Sequence, residues 1–131
     1  TKSKRSFLET LWAEAFEKHG IKAIFEPVTA RLPGEPFGQI VERMYNPDFW
    51  LPEANVFIEI KGPPPKDEEF LKCKLTRNLG FKIKMFHGSP DGFTEYDWDA
   101  KGRMTSKKHK SFYKYLHPER KRKRRKIYNV A

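Results

Sequence analysis

Val56-Phe57-Ile58-Glu59-Ile60-Lys61-Gly62 is the stretch on which the fold turns. A run of β-branched and aromatic residues, halted by Gly62 and then by Pro63-Pro64-Pro65, predicts a strand over 56–61 with an abrupt end. Successive side chains on a strand face opposite ways, so Ile58 and Ile60 point to one side while Glu59 and Lys61 share the other. An apolar strand thus ends by presenting a carboxylate and an ammonium side by side.

Upstream, Asn46-Pro47 closes a second predicted strand over 39–45, carried by Ile40, Val41 and Tyr45. Residues 48–55 then predict a short extended piece and a turn. If the strands at 39–45 and 56–61 form a hairpin, Asp48 comes to lie beside Glu59. Pro33, Gly34, Pro36 and Gly38 predict turn or loop over 29–38. Ile21, Ala23 and Phe25 alternate with more polar positions and predict a strand over 21–28, limited by Pro27. Before it, Phe7, Leu8, Leu11, Trp12, Ala15 and Phe16 fall at helical spacing over 6–19, with Ser6 as cap and Gly20 as stop.

Downstream, residues 67–79 predict a second helix. Asp67 serves as N-cap, Glu68 and Glu69 suit the first turn, and Phe70, Leu71, Leu75 and Leu79 form its apolar side. Residues 81–87 alternate apolar and basic, predicting another strand with Lys82 and Lys84 facing solvent, and 93–98 predict one more short strand after a turn. A helix joining the strands at 56–61 and 81–87 allows them to run parallel. The fold class is therefore α/β, a mixed sheet flanked by helices.

The chain has 131 residues and a formal net charge of +10, and length alone favours a single domain. Residues 1–98 carry 14 Lys+Arg against 15 Asp+Glu; residues 99–131 carry 13 against 2. The excess positive charge is thus confined to the last quarter. The expected organisation is a body over 1–98 and a basic tail over 99–131, helical around 105–116 and disordered through Arg120-Lys121-Arg122-Lys123-Arg124-Arg125-Lys126. A polyanion partner, nucleic acid first, suits that division, although a solubilising tail has the same composition. Cys73 is the single cysteine, which excludes an internal disulfide and fits a reducing compartment. His19, His87, His109 and His117 lack zinc-site spacing. There is no apolar run of membrane-spanning length and no signal-peptide pattern, so the expected location is cytoplasmic.

Two carboxylates and a lysine suit phosphodiester hydrolysis. Asp48 and Glu59 offer the hard oxygen ligands that Mg²⁺ takes with waters and phosphate. A neighbouring lysine can stabilise developing charge or orient a water.

These residues resemble the PD-(D/E)xK nuclease superfamily. Pro47-Asp48, ten intervening residues, and Glu59-Ile60-Lys61 match its motif, within the strings Asn46 to Pro52 and Phe57 to Gly62. An E-x-K triplet alone carries no weight; its place in an apolar strand stopped by glycine, at hairpin distance from Pro-Asp, is specific. The αβββαβ order over about residues 6–98 is similar to the superfamily core. Arg5-Ser6-Phe7-Leu8-Glu9 and His19-Gly20-Ile21-Lys22 resemble the start of the phage endonuclease I, or Holliday-junction resolvase, group. The chain departs from that group in its proline run and its basic tail.

The resemblance implies a Mg²⁺-dependent DNA endonuclease, with Mn²⁺ able to substitute, acting on branched or otherwise structured DNA as a homodimer in a bacterial or phage-infected cell. It implies Asp48, Glu59 and Glu9 as metal ligands together with the Ile60 main chain, and Lys61 as the catalytic lysine. Ser6-x-x-Glu9 is also a capping box, which explains Glu9 equally well. Glu14, at the other edge of the helix, and Glu26 are rival acidic groups. Lys72, Lys74 and Arg77 on the second helix, Lys107 and Lys108, and the run from Arg120 to Lys126 are the expected DNA contacts. Trp50 is a candidate for base or sugar contact, and Cys73 for the core. A non-catalytic nucleic-acid-binding protein on this fold, or an RNA nuclease, would share most of these features.

Overall fold

A computed structural model describes residues 6–26, 30–34 and 41–118, with side chains outside 27–45. The order is α1 (Phe7–Lys18), β1 (Ile24–Phe25), β2 (Ala30–Gly34), β3 (Val41–Tyr45), β4 (Phe49–Leu51), β5 (Val56–Lys61), α2 (Asp67–Asn78), β6 (Ile83–Ser89), β7 (Gly92–Trp98), β8 (Met104–His109) and α3 (Phe112–Leu116). Six strands form one sheet in the order β1-β4-β5-β6-β7-β8, and β2 and β3 form a separate antiparallel hairpin. β5 and β6 are parallel, as the intervening helix predicts, and the other neighbours in the sheet are antiparallel. The architecture is α/β, a mixed six-stranded sheet flanked by helices.

The two faces of β5 sort the core. Val56, Ile58 and Ile60 pack with Phe49, Leu51, Phe86 and Phe93 of the sheet, Trp12 and Phe16 of α1, and Phe112 of α3. Phe57 faces the other way and packs with Ile83, Met85 and Trp98 beneath Cys73 of α2. Trp12 is fully buried, and its ring meets Phe86 and Phe93 with centroids 4.9 Å away in each case. Its indole N–H donates to the Gly88 carbonyl at 2.9 Å. Gly88 itself adopts φ +124°, and a Cβ there would lie 2.4 Å from the Gly92 carbonyl oxygen, so the β6–β7 turn needs glycine. Deleting a buried aromatic of this kind costs about 3–5 kcal/mol.

Several sequence expectations are corrected. Of the strand expected over 21–28, the described part is the two-residue β1, Ile24–Phe25, which pairs with β4; residues 27–28 lie outside the described residues. The stretch expected as loop over 29–38 contains β2, whose partner is β3. The strand at 39–45 therefore does not pair with β5; β4 does, with Phe49 opposite Ile58 and Leu51 opposite Val56. The cap of α2 is Lys66, one residue before Asp67. Of the helix expected over 105–116, residues 105–109 belong to the edge strand β8, and only the short α3 is helical. Backbone pairing with β7 decides this: side-chain periodicity carries little signal where almost every residue is exposed. β8 and α3 lie past residue 98, yet both build onto the body, with Phe112 only 3% exposed.

Candidate active site

Asp48 precedes β4 and is 4% exposed. Its Oδ2 accepts the Ile60 N–H at 2.7 Å, which ties the start of β4 to the end of β5. Its carbonyl accepts the Glu26 N–H at 2.8 Å. Asp48 thus reaches Glu59's strand through the β4–β5 pairing rather than through the hairpin anticipated from residues 39–45.

Three carboxylates influence one another here. Burial, first, and then the Glu59 charge lift the Asp48 carboxyl from its ordinary 3.8 to about 8; a hydrogen bond with the Glu9 carboxyl and the Glu9 charge add to the lift, and the Ile60 N–H opposes it. A carboxyl–carboxyl hydrogen bond needs a shared proton, so the cluster retains a proton near neutrality. Glu9 is 8% exposed, and the rival reading of it also holds. Its Oε1 accepts the Ser6 N–H at 3.0 Å and its own N–H donates to Ser6 Oγ at 3.1 Å, completing the capping box. One side chain both caps α1 and faces Asp48. Glu14 is exposed. Glu26 meets Asp48 through its backbone, at φ +49°, with its Oε2 buried.

Lys61 lies on the α2 side of the sheet, on the same face of β5 as Glu59. Its Nζ donates to Glu69 Oε2 in an ion pair, while Glu69 Oε1 accepts the Lys66 N–H at 2.8 Å. Burial pushes the Glu69 carboxyl up, but the bond from Lys61, the Lys66 N–H and the charges of both lysines bring it below its ordinary value. Glu69 thus fixes where the Lys61 ammonium sits. The sequence offered it only as a favourable first-turn acid; its lysine partner lies eight residues away, across the proline turn.

The other candidates divide. Ile60 contributes its N–H to Asp48 and its side chain to the core. Trp50 packs its ring on Phe57, centroids 4.6 Å apart, and is half-buried there. Cys73 is fully buried. Lys72 is half-buried on α2. Arg77 Nε donates to the Trp98 carbonyl at 3.2 Å, and Lys74 borders Gly102. Both stand at the Trp98–Met104 end of the sheet, whereas Lys61 stands at the His87–Thr94 end. Lys107 and Lys108 are exposed on β8, opposite Glu95 and Thr94 respectively, so they face opposite sides of the sheet. The cations from Arg120 to Lys126 lie outside the described residues.

A second polar cluster escaped the sequence reading. Lys84 is not solvent-facing as expected: its Nζ lies 2.5 Å from Glu95 Oε2 and 3.4 Å from Asp97 Oδ2. Glu95 also bonds His109 Nε2 at 2.8 Å and accepts the Tyr115 hydroxyl at 3.0 Å. Burial raises the Glu95 carboxyl, but Lys84, His109 and Tyr115 together hold it below its ordinary value. Burial alone would lower the Lys84 ammonium; Glu95, Tyr115 and Asp97 raise it instead. Beside this network a largely apolar cleft of about 380 Å³ runs between the sheet and α3, lined by Ile58, Phe86, Phe112 and Leu116 among others.

Among the described residues, no three His, Cys, Asp or Glu side chains stand grouped as a ready-made ion cage. Magnesium is commonly held by only one or two carboxylates, with waters and substrate phosphate completing its shell. Asp48 and Glu59 fit that requirement, because their mutual repulsion is what a divalent cation would relieve. No helix among the described residues is long and apolar enough to cross a membrane. Comparison with family models, with curated proteins and with solved structures finds no match to this chain.

Proposed function

We propose that this chain is a divalent-cation-dependent DNA endonuclease acting at Asp48, Glu59 and Lys61, with Glu9 supporting Asp48. The observation that carries the reading is the place of buried Asp48, bonded by the Ile60 N–H between Glu59 and Lys61 on β5, with its carboxyl lifted first by burial and then by the Glu59 charge, and with the Lys61 ammonium held by Glu69. Carboxyls shifted this far by burial and a like-charged neighbour cluster at functional sites.

Asp48 and Glu59 would hold Mg²⁺, or Mn²⁺ in its place. When bound, the ion supplies positive charge against the phosphate and lowers the pKa of water. Asp48 keeps its orientation through the Ile60 N–H, so its carboxylate geometry is set before substrate arrives. Glu9 shares a hydrogen bond with Asp48 while its other bond, to the Ser6 N–H, caps α1. Lys61, placed by Glu69, offers its ammonium to a phosphate oxygen or to the attacking water. The net charge of +10 supports a nucleic-acid substrate. DNA rather than RNA, branched or structured substrates, and a homodimer follow from the resemblance to the resolvase group.

The test is cleavage of single-stranded, duplex, nicked and four-way-junction DNA, and of RNA, with Mg²⁺ or Mn²⁺. The expected result is cation-dependent cutting of DNA, lost in Asp48→Ala and Lys61→Ala. Undiminished cutting by folded Asp48→Ala protein would overturn the site. Tight, salt-sensitive binding without cutting in either cation would overturn the enzymatic reading.

A further inference from the structure

The strand registers place Lys61 opposite His87, His87 opposite Thr94, and Thr94 opposite Lys108. These four residues form one row straight across β5, β6, β7 and β8. All four lie on the α2 side, since the rows nearer the core on that face contain Phe57, Met85, Tyr96 and Trp98. The core under α2 stops short of this last row: Lys61, His87 and Thr94 are half-exposed, and Lys108 is exposed.

We infer that this row is a phosphate track, carrying a nucleic-acid backbone from the carboxylate cluster to the β8 edge. The inference rests on the nuclease reading for its starting point, Lys61. Every member presents a hydrogen-bond donor (ammonium, imidazole N–H or hydroxyl) and none is a carboxylate. Side chains of these types are the ones that position phosphates without reading bases. Strands lie about 4.8 Å apart, so three gaps span roughly 14 Å, the axial rise of about four nucleotides of one strand. The row is therefore long enough to engage several phosphates beside the one being cut. His87 and Thr94 belong to it only because β6 and β7 are in this register, and neither stands out in the sequence.

Lysines on an edge strand also block edge-to-edge pairing of sheets. That role falls to Lys107 and Lys108 alike, whereas the phosphate track uses Lys108 and leaves Lys107 on the far face. The experiment compares the 131-residue wild-type chain with Lys108→Ala, His87→Ala and Lys107→Ala. Binding to a fluorescein-labelled DNA duplex is followed by anisotropy with Ca²⁺ over a range of salt, and steady-state cleavage is followed with Mg²⁺. The expected result is a dissociation constant raised about fivefold in Lys108→Ala, with its log–log salt slope reduced by about 0.9. His87→Ala weakens binding to a smaller extent, Lys107→Ala loses less than Lys108→Ala, and the cleavage loss in the track variants appears in KM rather than kcat. Equal losses in Lys107→Ala and Lys108→Ala, with wild type cutting DNA, would overturn the track and leave the nuclease reading standing. Lys108-dependent binding without any cutting by wild type would do the reverse.

Discussion

Asp48 and Glu95 are both carboxylates shielded from water on the same sheet, yet their surroundings are opposite. Asp48 has Glu9 and Glu59 for company and is lifted to about 8. Glu95 has Lys84, His109 and Tyr115, and is held below its ordinary value of 4.5. In the second cluster every strong interaction is already made within the chain, so the network stabilises the junction of β6, β7, β8 and α3. In the first, burial and the neighbouring carboxylates act in the same direction and favour the protonated form of Asp48. The sign of the neighbouring charges, more than burial, separates the two carboxyls.

Exchanging charge for amide at each carboxylate is the sharpest way to break that comparison. Asp48→Asn keeps an oxygen for the Ile60 N–H but removes the charge. The proposed function then predicts cleavage reduced by a factor of about 100 or more, with stability unchanged or raised, because a buried like charge has gone. Glu95→Ala is expected to do the opposite: DNA cutting persists at temperatures where the variant stays folded, while stability falls by about 3 kcal/mol, since Lys84 is left without its main partner. Denaturant unfolding beside a cleavage assay checks both. Cleavage lost in Glu95→Ala and kept in Asp48→Asn would invert the assignment.

Acid and base should likewise act oppositely on the two clusters. The Glu95 pKa is depressed on folding, so its contribution is present above 4.5 and lost as pH falls through the lower folded value. The Asp48 pKa is raised, so its contribution is fully present below 3.8 and lost as pH climbs toward 8. Without added divalent cation, Asp48→Asn should therefore gain stability over wild type as pH rises from 4 to 8, whereas Glu95→Gln should flatten the loss below pH 4.5. Melting curves across that range decide it. Coincident profiles for wild type and Asp48→Asn would mean that no like-charge strain exists at Asp48.

The smallest expected effect concerns Glu69. Freed of it, the Lys61 ammonium keeps its charge but loses its fixed place, and Glu69→Ala is expected to lower kcat about tenfold with little change in KM. Rescue by Glu69→Gln, which can still accept a hydrogen bond from Lys61, would identify orientation as the cause. A fall in KM affinity with kcat intact would assign Glu69 to binding instead.

The sequence made the centre of the molecule legible and its periphery much less so. β5, α1 and α2 carry their own signals: apolar runs or helical periodicity bounded by Gly20, Gly62 and Gly80. Glu59 and Lys61 share a face by strand geometry alone, and that holds. Asp48 was expected beside Glu59 through a hairpin of 39–45 with 56–61; the pairing is made by β4 instead, whose three residues are too short to announce themselves. β8 was hidden by its exposed, lysine-rich composition, which resembles a tail until backbone pairing with β7 is seen. The Lys84–Glu95–His109 network depends on register between distant segments. Its one visible hint was a basic alternation at Lys82 and Lys84 against an acidic one at Glu95 and Asp97. Glu9 could be neither assigned nor dismissed from sequence, because its capping role and its approach to Asp48 are both real.

Calorimetric titration of Mn²⁺ into wild type and Asp48→Asn at pH 7, in two buffers of different ionisation enthalpy, addresses the proposed cation site at Asp48 most directly. The account predicts a binding event in wild type that releases a proton, as the Asp48 carboxyl gives up the one it shares with Glu9, and loss of both binding and proton release in Asp48→Asn. Equal binding and equal proton release in the two proteins, or no binding in either, would contradict it.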